Sequence, residues 1–429
     1  MVANSGGRGV RAVALALGAC SVLALSACAD TQGGGAGGGG GKGVPAGATI
    51  EQYKAAFADV EPIKLTTQSP SPKGSVTGKN VEDYLKAVTE WSGGKITFEV
   101  TYSNGVAPPA EVDDALVDGR LDIGQVLPIY EPSEYPANAA LIQASFVSNQ
   151  TPIAGTLQSN AWPNEVAFKT PEITEEFEKK GIKLMVPYYD SGANVMFCRK
   201  PRRDLASLKG VQTASGGQAQ NTELTALGAA PASVPYTEQF ESLQRGVVDC
   251  TVSSFTVGVL GGFVKVAPNV TIDPAAGFAL APGGMAINQQ TWDGLPLVAR
   301  QLLWDRLDVF LSSNIEGKIW PNIAQAVSEA KAAGGSVGPF SDDARKAMTA
   351  ANTRMLNDLR TKAKVDDPGA FVTNIQSAAD RWLKEAQAVG PKETVAHADF
   401  DKWYKSGKVD VDRYIQQVYQ QIFLPHRPS

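Results

Sequence analysis

The chain has 429 residues and, with 39 basic against 44 acidic side chains, a formal net charge of −5 at pH 7. This mildly acidic balance, without a basic stripe, argues against nucleic acid as a partner. A chain of this length exceeds what one hydrophobic core usually supports, so the folded part is expected to form two lobes.

The N-terminal residues 1–27 have the features of a bacterial lipoprotein signal peptide. Two arginines precede an apolar run over residues 12–25, which is short for a membrane span but suits a signal peptide. The run ends in LSAC at residues 25–28, which resembles a lipobox, so we expect Cys28 to carry a lipid at the extracytoplasmic face of the cell membrane. The glycine-rich residues 28–48 would then be a flexible tether. In the alternative, Cys28 is incidental to an ordinary secretory signal.

Short strands and helices alternate after the tether. Residues 62–70 alternate like a strand, and residues 79–92 carry apolar side chains on one helical face before Gly93-Gly94 ends the helix. A second strand follows at 95–103 and a third begins at Leu121. This order, with its short glycine turns, predicts an α/β lobe with a largely parallel sheet.

The next part of the chain repeats the alternation of strands and helices, and the sequence after it is mainly helical. Strands are predicted at 182–189 and 193–200, and a second α/β unit extends to about residue 255. From Thr291 onward the sequence is long and helical, with a break near Pro321.

These elements predict two α/β lobes joined by crossing strands. The first lobe comprises residues 49–190 plus about 256–290. The second comprises residues 191–255 plus about 291–390, whose long helices brace both lobes. Residues 391–429 are predicted to form a C-terminal helical extension. The cleft between two such lobes is a usual place for a small-molecule site, and lobe closure traps the ligand.

The sequence offers little for catalysis. Its two histidines, His397 and His426, lie in the C-terminal tail, and no G-x-S-x-G, H-E-x-x-H, C-x-x-C or P-loop motif occurs. Acidic pairs such as Asp113-Asp114 fit solvated helix faces better than acid–base pairs. We therefore expect a binding protein without enzymatic activity, metal or cofactor.

Two cysteines, Cys198 and Cys250, follow Cys28 in the sequence. In an oxidising exterior this pair favours a disulfide. Two separate buried thiols are the alternative.

Several segments resemble the solute receptors of TRAP transporters, the DctP-like family. These are VEDYLKAVTEWSGGKITFEVTYSNG (81–105), ALVDGRLDIG (115–124), DLASLKGVQTASGG (204–217) and LGAAPASVPYTEQFESLQRGVVDC (227–250), the last almost position for position. The resemblance extends from about residue 62 to 385. It implies a two-lobe, periplasmic-binding-protein-like (type II-like) α/β fold, and a receptor that delivers a small solute to a sodium-driven membrane permease. We expect this receptor to be a monomer.

The chain departs from this family at the position that commonly recognises an acid. Most members bind organic acids through an arginine shortly after the L-K-G motif, where this sequence has Thr213-Ala214, and a second arginine of some members corresponds to Asn194. The resemblance therefore implies a ligand that is neutral at that position, or an acid anchored from elsewhere, since an arginine–carboxylate pair is a strong recognition element. In the alternative, Arg199 or Arg202 takes the arginine's place.

The resemblance also suggests which residues bind the ligand. The candidates are Gln68, Gln125 and Tyr130 from the first lobe, and Asn194, Ala214, Tyr236 and Ser253 from the second.

The sequence thus predicts a lipid-anchored extracytoplasmic solute receptor that works with a TRAP-type permease. Two alternatives stay open: a receptor that feeds a membrane sensor, and a secreted enzyme built on a binding-protein fold.

Overall fold

The structure is a computed structural model that describes residues 42–391, 394–405 and 409–429. The predicted signal peptide and Cys28 lie outside these residues. No helix in the described part of the chain is long and apolar enough to cross a membrane.

Eleven strands build two sheets in the described residues. They are β1 (Ile63–Gln68), β2 (Ile96–Thr101), β3 (Ile123–Val126), β4 (Ile182–Tyr189), β5 (Asn194–Cys198), β6 (Gln212–Ser215), β7 (Ala230–Ser233), β8 (Cys250–Ser254), β9 (Asn269–Thr271), β10 (Gly283–Asn288) and β11 (Val337–Gly338). The first sheet has the order β2-β1-β3-β10-β4 and the second the order β11-β9-β5-β8-β6-β7. We call each sheet with its covering helices a lobe.

Helices cover both sheets and fill the last third of the chain. The α-helices are Ile50–Ala56, Lys79–Trp91, Val112–Val117, Pro136–Gln143, Ala154–Ser159, Trp162–Phe168, Pro171–Lys179, Leu205–Leu208, Gln218–Ala226, Gln239–Gln244, Phe255–Leu260, Gln289–Gly294, Leu297–Asp305, Leu307–Ser312, Trp320–Ala332, Asp342–Lys362, Pro368–Val389, Phe400–Trp403 and Val411–Val418, and π-helical turns lie at Ser313–Ile319 and Tyr419–Phe423.

Both sheets are mixed, whereas a largely parallel first sheet was expected. In the first sheet, β1 runs parallel to β2 and β3, but β10 is antiparallel to both β3 and β4. In the second, β6 is parallel to β7 and β8, while β5 is antiparallel to β8 and β9. The expectation missed β10 because this strand comes from a segment that returns from the second sheet and enters the first in the opposite direction.

Two segments that connect consecutive strands carry the chain from one sheet to the other. Residues 190–193 join β4 of the first sheet to β5 of the second, and residues 272–282 join β9 to β10 in the other direction. The stretch 256–290, expected in the first lobe, is therefore divided, because β9 pairs with β5 and only β10 joins the first sheet. These crossings place a cleft where the chain changes lobe.

The two ends of the described chain pack together on the body. Val44 lies in the segment predicted as tether, but its side chain is buried and its N–H donates to Gln301 Oε1 over 2.7 Å. Near it, the buried carboxylate of Asp305 accepts hydrogen bonds from the hydroxyls of Tyr53 and Tyr419, each at 2.6 Å, and pairs with Arg427 at 2.8 Å. The C-terminal extension is thus tied to the helix that contains Asp305.

Candidate functional site

A cavity of about 90 Å³ lies between the two lobes. It sits at the ends of β1 and β3 in the first lobe and of β5 and β8 in the second. Residues of both crossing segments, Ser191 and Ala281, also line it. A site placed where the lobes meet changes shape when they move, as a solute trap requires.

Six of the seven candidate ligand-binding residues line this cavity. They are Gln68, Gln125, Tyr130, Asn194, Tyr236 and Ser253. The seventh, Ala214, is fully buried in β6 and does not line the cavity; Gly216 and Gln220, which follow that strand, line it instead. The roles of these residues in ligand binding remain predictions.

Gln68 has a structural role in the cavity wall. Its Nε2 donates to the carbonyl of Ala107 over 2.9 Å, and its Oε1 accepts from the backbone N–H groups of Val106 and Ala107 at 3.1 and 3.0 Å. The side chain therefore holds the loop that follows β2, and its polar atoms already have partners.

Other polar atoms of the cavity wall have no partner in the described part of the chain. Both amide atoms of Gln125 are buried without a hydrogen bond, as are Gln239 Oε1, Thr256 Oγ1 and Ser71 Oγ. An unsatisfied buried polar group costs roughly 1–3 kcal/mol, so a ligand that supplies partners here gains affinity. Among these residues, sequence reasoning identified only Gln125. Gln239 could have been found from its spacing, because it lies three residues after the candidate Tyr236 and residues three apart are neighbours on a helix.

Lys318 is the charged residue of the cavity wall, and sequence reasoning missed it. It lies in the π-helical turn Ser313–Ile319, is 5% exposed, and holds its Nζ 5.3 Å from the ring centroid of Tyr189. Burial lowers the pKa of Lys318 to about 8, and the nearby carboxylate of Asp190 opposes that shift. At neutral pH the side chain is still mainly protonated.

The helix break that positions Lys318 has a sequence cause. Pro321 has no N–H to donate to the carbonyl of Gly317 four residues earlier, so α-helical bonding fails in the turn before it. A π-helical turn takes its place, and such turns recur at functional sites. The sequence indicated the break near Pro321 but not that it opens on the cavity.

Neither arginine offered as an alternative lines the cavity. The Arg199 side chain is about half exposed and lies 4.0 Å from Asp249, and Arg202 donates to the carbonyl of Ser207 over 2.6 Å. That alternative is therefore wrong for this structure, because both residues lie beyond the end of β5 that is opposite to the cavity.

The lobes touch each other beside the cavity. Asn104 from the first lobe donates through Nδ2 to the hydroxyl of Tyr236 over 3.0 Å, and the backbone N–H of Tyr236 lies 3.5 Å from the hydroxyl of Tyr130. A Cβ atom at Gly217 would come within 2.8 Å of Ile129. Burial raises the pKa of Tyr130 to about 12, so its hydroxyl stays protonated. The structure thus has its lobes closed on the cavity.

A disulfide joins β5 and β8, the two strands of the second lobe that end at the cavity. Cys198 and Cys250 lie opposite each other on the antiparallel strands β5 and β8, and a disulfide links them. At the other end of the same strand pair, Asn194 lies opposite Ser254, and both line the cavity.

Comparison with known proteins finds one family across most of the chain. The sequence model of DctP, described as bacterial extracellular solute-binding protein, family 7, matches residues 68–362. A protein named "solute-binding protein" from Albidiferax ferrireducens is 23% identical over 260 residues, which cover 60% of this chain and 74% of the relative.

Solved structures of TRAP solute-binding proteins share the fold. A receptor from Rhodoferax ferrireducens in complex with copurified benzoate superposes with a TM-score of 0.65 at 18% identity, covering 76% of this chain and 99% of that one. DctP7 from Bordetella pertussis, which binds pyroglutamic acid, gives 0.61 at 19% identity, with 74% and 99% covered. The sugar acid binding protein DctPAm from Advenella mimigardefordensis, in complex with galactonate, gives 0.64 at 17% identity, with 76% and 100% covered.

Proposed function

This chain belongs to the DctP family, the bacterial extracellular solute-binding proteins of family 7, and from that premise we propose that it captures a small organic acid between its lobes and delivers it to a TRAP-type membrane permease. The family consists of solute-binding proteins, so the chain is a binding protein and not an enzyme. The observation that carries the proposal is the interlobe cavity, whose wall contains buried polar atoms without partners among the described residues.

An organic acid is the ligand class that the relatives favour. The solved structures described above are of proteins that bind benzoate, pyroglutamate or galactonate, and each of these is a carboxylate. A positively charged side chain in the cavity wall, Lys318, supports the same class for this chain.

Capture is proposed to proceed by lobe closure without covalent chemistry. The contacts of Tyr236 with Asn104 and Tyr130 form only when the lobes are together. A ligand that binds groups from both lobes favours the closed state by its extra affinity for it. The closed protein is then the form that the permease would recognise.

Attachment to the membrane is part of the proposal. Cys28 lies in a lipobox-like motif ahead of a glycine-rich stretch, and acyl chains there would hold the receptor at the extracytoplasmic face of the membrane. The tether would be shorter than the sequence suggests, because Val44 is already packed on the body.

A thermal-shift screen of the purified protein tests the proposal. The panel contains small monocarboxylates, dicarboxylates, sugar acids and their neutral analogues. A true ligand at 100 times its Kd stabilises the folded state by about 2.7 kcal/mol and raises Tm by several degrees. Quantification of the compound after incubation should find it unchanged. Turnover of a compound, or a panel in which no compound raises Tm, contradicts the proposal.

A further inference from the structure

The cavity between the lobes carries a single charged side chain among the described residues that line it. This residue is Lys318, and the wall contains no aspartate, glutamate, arginine or histidine. The other ionisable groups of the wall are tyrosines such as Tyr130, whose raised pKa keeps it neutral. A ligand in the cavity therefore meets one positive charge and no negative charge at the wall.

The ammonium group of Lys318 lacks the partners that a buried lysine needs. Within the described part of the chain its Nζ makes no hydrogen bond and no ion pair within 4.0 Å, and it faces the ring of Tyr189 at 5.3 Å. An ammonium group has three donors, and burying a charge without hydrogen bonds is costly. A cation–π contact replaces only part of the lost hydration.

Asp190 supplies a negative charge behind the wall but does not occupy the lysine's donors. This carboxylate is 1% exposed, and its Oδ1 accepts from the N–H of Gly192 at 2.7 Å and from Asn160 Nδ2 at 3.3 Å. It does not line the cavity. Its charge opposes the lowering of the Lys318 pKa by burial, and its position leaves the ammonium donors available to a ligand.

We propose that Lys318 binds the carboxylate of the ligand and thereby replaces the arginine that the sequence lacks at Thr213-Ala214. The inference rests on the proposed function and names the ligand class within it: a small monocarboxylate. A second carboxylate on the ligand would be buried without a counter-charge, so dicarboxylates are disfavoured. The amide of Gln125 and the Oε1 atom of Gln239, which have no partner within the described residues, bind the polar atoms of the ligand body.

The size of the cavity favours a small ligand. A cavity of about 90 Å³ is well above the roughly 10–15 Å³ that a single water needs, so it has room for a small organic acid.

The experiment compares acids with their neutral amides in two lysine variants of the full chain. The probes are benzoate, pyroglutamate and other small monocarboxylates, each paired with its carboxamide, and Kd is measured by calorimetry. Lys318→Met keeps the shape of the side chain and removes the charge. Lys79→Met removes a charge from a half-exposed lysine that pairs with Asp83 outside the cavity, and so controls for net charge.

We expect Lys318→Met to weaken binding of the preferred acid about 10- to 100-fold, the value of a hydrogen bond to a charged group. Its affinity for the carboxamide should change less than threefold, and Lys79→Met should leave both unchanged. A purely structural lysine would alter the affinities for acid and amide alike, so the ratio of the two separates the roles.

Three outcomes overturn the inference: equal losses for acid and amide, no loss for the acid, and a wild-type protein that prefers amides or dicarboxylates. With the first two outcomes, or with a preference for dicarboxylates, the protein still binds an organic acid, so the proposed function stands. A preference for amides also contradicts the organic-acid class in the proposed function and leaves only the capture of a small solute. A wild-type protein that binds neither acids nor amides contradicts both.

Discussion

Two glutamines on neighbouring strands of the first sheet differ in how their amides are used. Gln68 on β1 has hydrogen bonds to the backbone of residues 106–107, whereas the amide of Gln125 on β3 is buried without a partner in the part of the chain that the structure describes. The same residue type therefore stabilises the free protein in one case and costs it stability in the other.

Substitution of each glutamine by methionine, which has a similar shape, should separate the two roles. Gln68→Met leaves backbone groups of the loop unpaired, so we expect the free energy of unfolding to fall by at least about 2 kcal/mol. Gln125→Met removes an unsatisfied amide, so the ligand-free protein should be as stable as the wild type or more stable, while affinity for the ligand falls. Urea denaturation without ligand and calorimetry with it measure both effects. A loss of stability in Gln125→Met as large as that in Gln68→Met would contradict this interpretation.

Individual cavity residues were predictable where a family motif or the end of a predicted strand, as for Gln68, located them. Asn194, Tyr236 and Ser253 came from resemblance to family segments, and the cavity wall contains all three. Ala214 was carried over from the position of the family's arginine and does not line the cavity. Lys318 lies in a helical stretch where the sequence pattern indicates packing, and burial of a lysine leaves no periodic signal.

At the scale of elements, the C-terminal 3₁₀ turn His397–Asp399 inserts a histidine into the core. His397 is 6% exposed, stacks on Phe255 with ring centroids 5.5 Å apart, and its Nε2 has no partner in the described residues. Burial lowers the pKa of His397 to about 3. The neutral ring is therefore part of the contact by which this segment packs on the second lobe.

Acid should destabilise the protein through this histidine. In the unfolded chain a histidine takes up a proton below about pH 6.5, whereas His397 in the folded protein stays neutral down to about pH 3. The free energy of unfolding should thus fall as the pH drops below 6.5, with His397 contributing up to about 2 kcal/mol of the loss at pH 5. His397→Phe should remove this part of the decline in denaturation curves recorded from pH 7.5 to 5.

The second histidine provides the matched control. His426 stacks on Phe168 but is exposed, so His426→Phe should change the pH dependence much less. Wild type and His397→Phe losing stability in parallel between pH 7 and 5 would contradict the assignment.

The sequence pattern predicted which segments form strands better than it predicted the direction in which each strand runs in its sheet. The expected strand 182–189 coincides with β4 (Ile182–Tyr189), and the expected 95–103 contains β2 (Ile96–Thr101). The antiparallel entry of β10 was not predictable from local patterns, because it depends on which lobe the preceding segment leaves. β9 has three residues and β11 has two, too few for a period of two to be visible.

At the scale of the whole molecule, the two lobes meet through side chains at loop ends. Asn104 has a backbone φ of 56°, a left-handed conformation that asparagine tolerates, and from there its amide reaches Tyr236 of the other lobe. This contact lies beside the cavity and is lost when the lobes separate. It should therefore affect how long a ligand stays bound.

Removal of this contact should speed ligand release. Tyr236→Phe deletes the hydroxyl, and Asn104→Gly deletes the amide at a position where glycine accepts the backbone conformation. A net hydrogen bond of about 0.5–1.5 kcal/mol corresponds to a dissociation rate about 2- to 12-fold faster in either variant. Stopped-flow dissociation of the preferred acid from the two single variants and the double variant forms a cycle. The double variant should be no faster than the faster single one; additive effects would show that the two side chains do not act together.

The disulfide between Cys198 and Cys250 bears on how a newly exported chain matures. It closes one end of the strand pair whose other end presents Asn194 and Ser254 to the cavity. A slip of one residue between β5 and β8 would turn the side chains of the slipped strand to the opposite face, so that Asn194 and Ser254 no longer lie on one face, and it would separate the two sulfurs. Formation of the disulfide therefore fixes the register of β5 and β8 in which both strands contribute to the cavity. A chain in which these strands pair in another register keeps two free thiols, and these thiols distinguish it from the correctly paired chain.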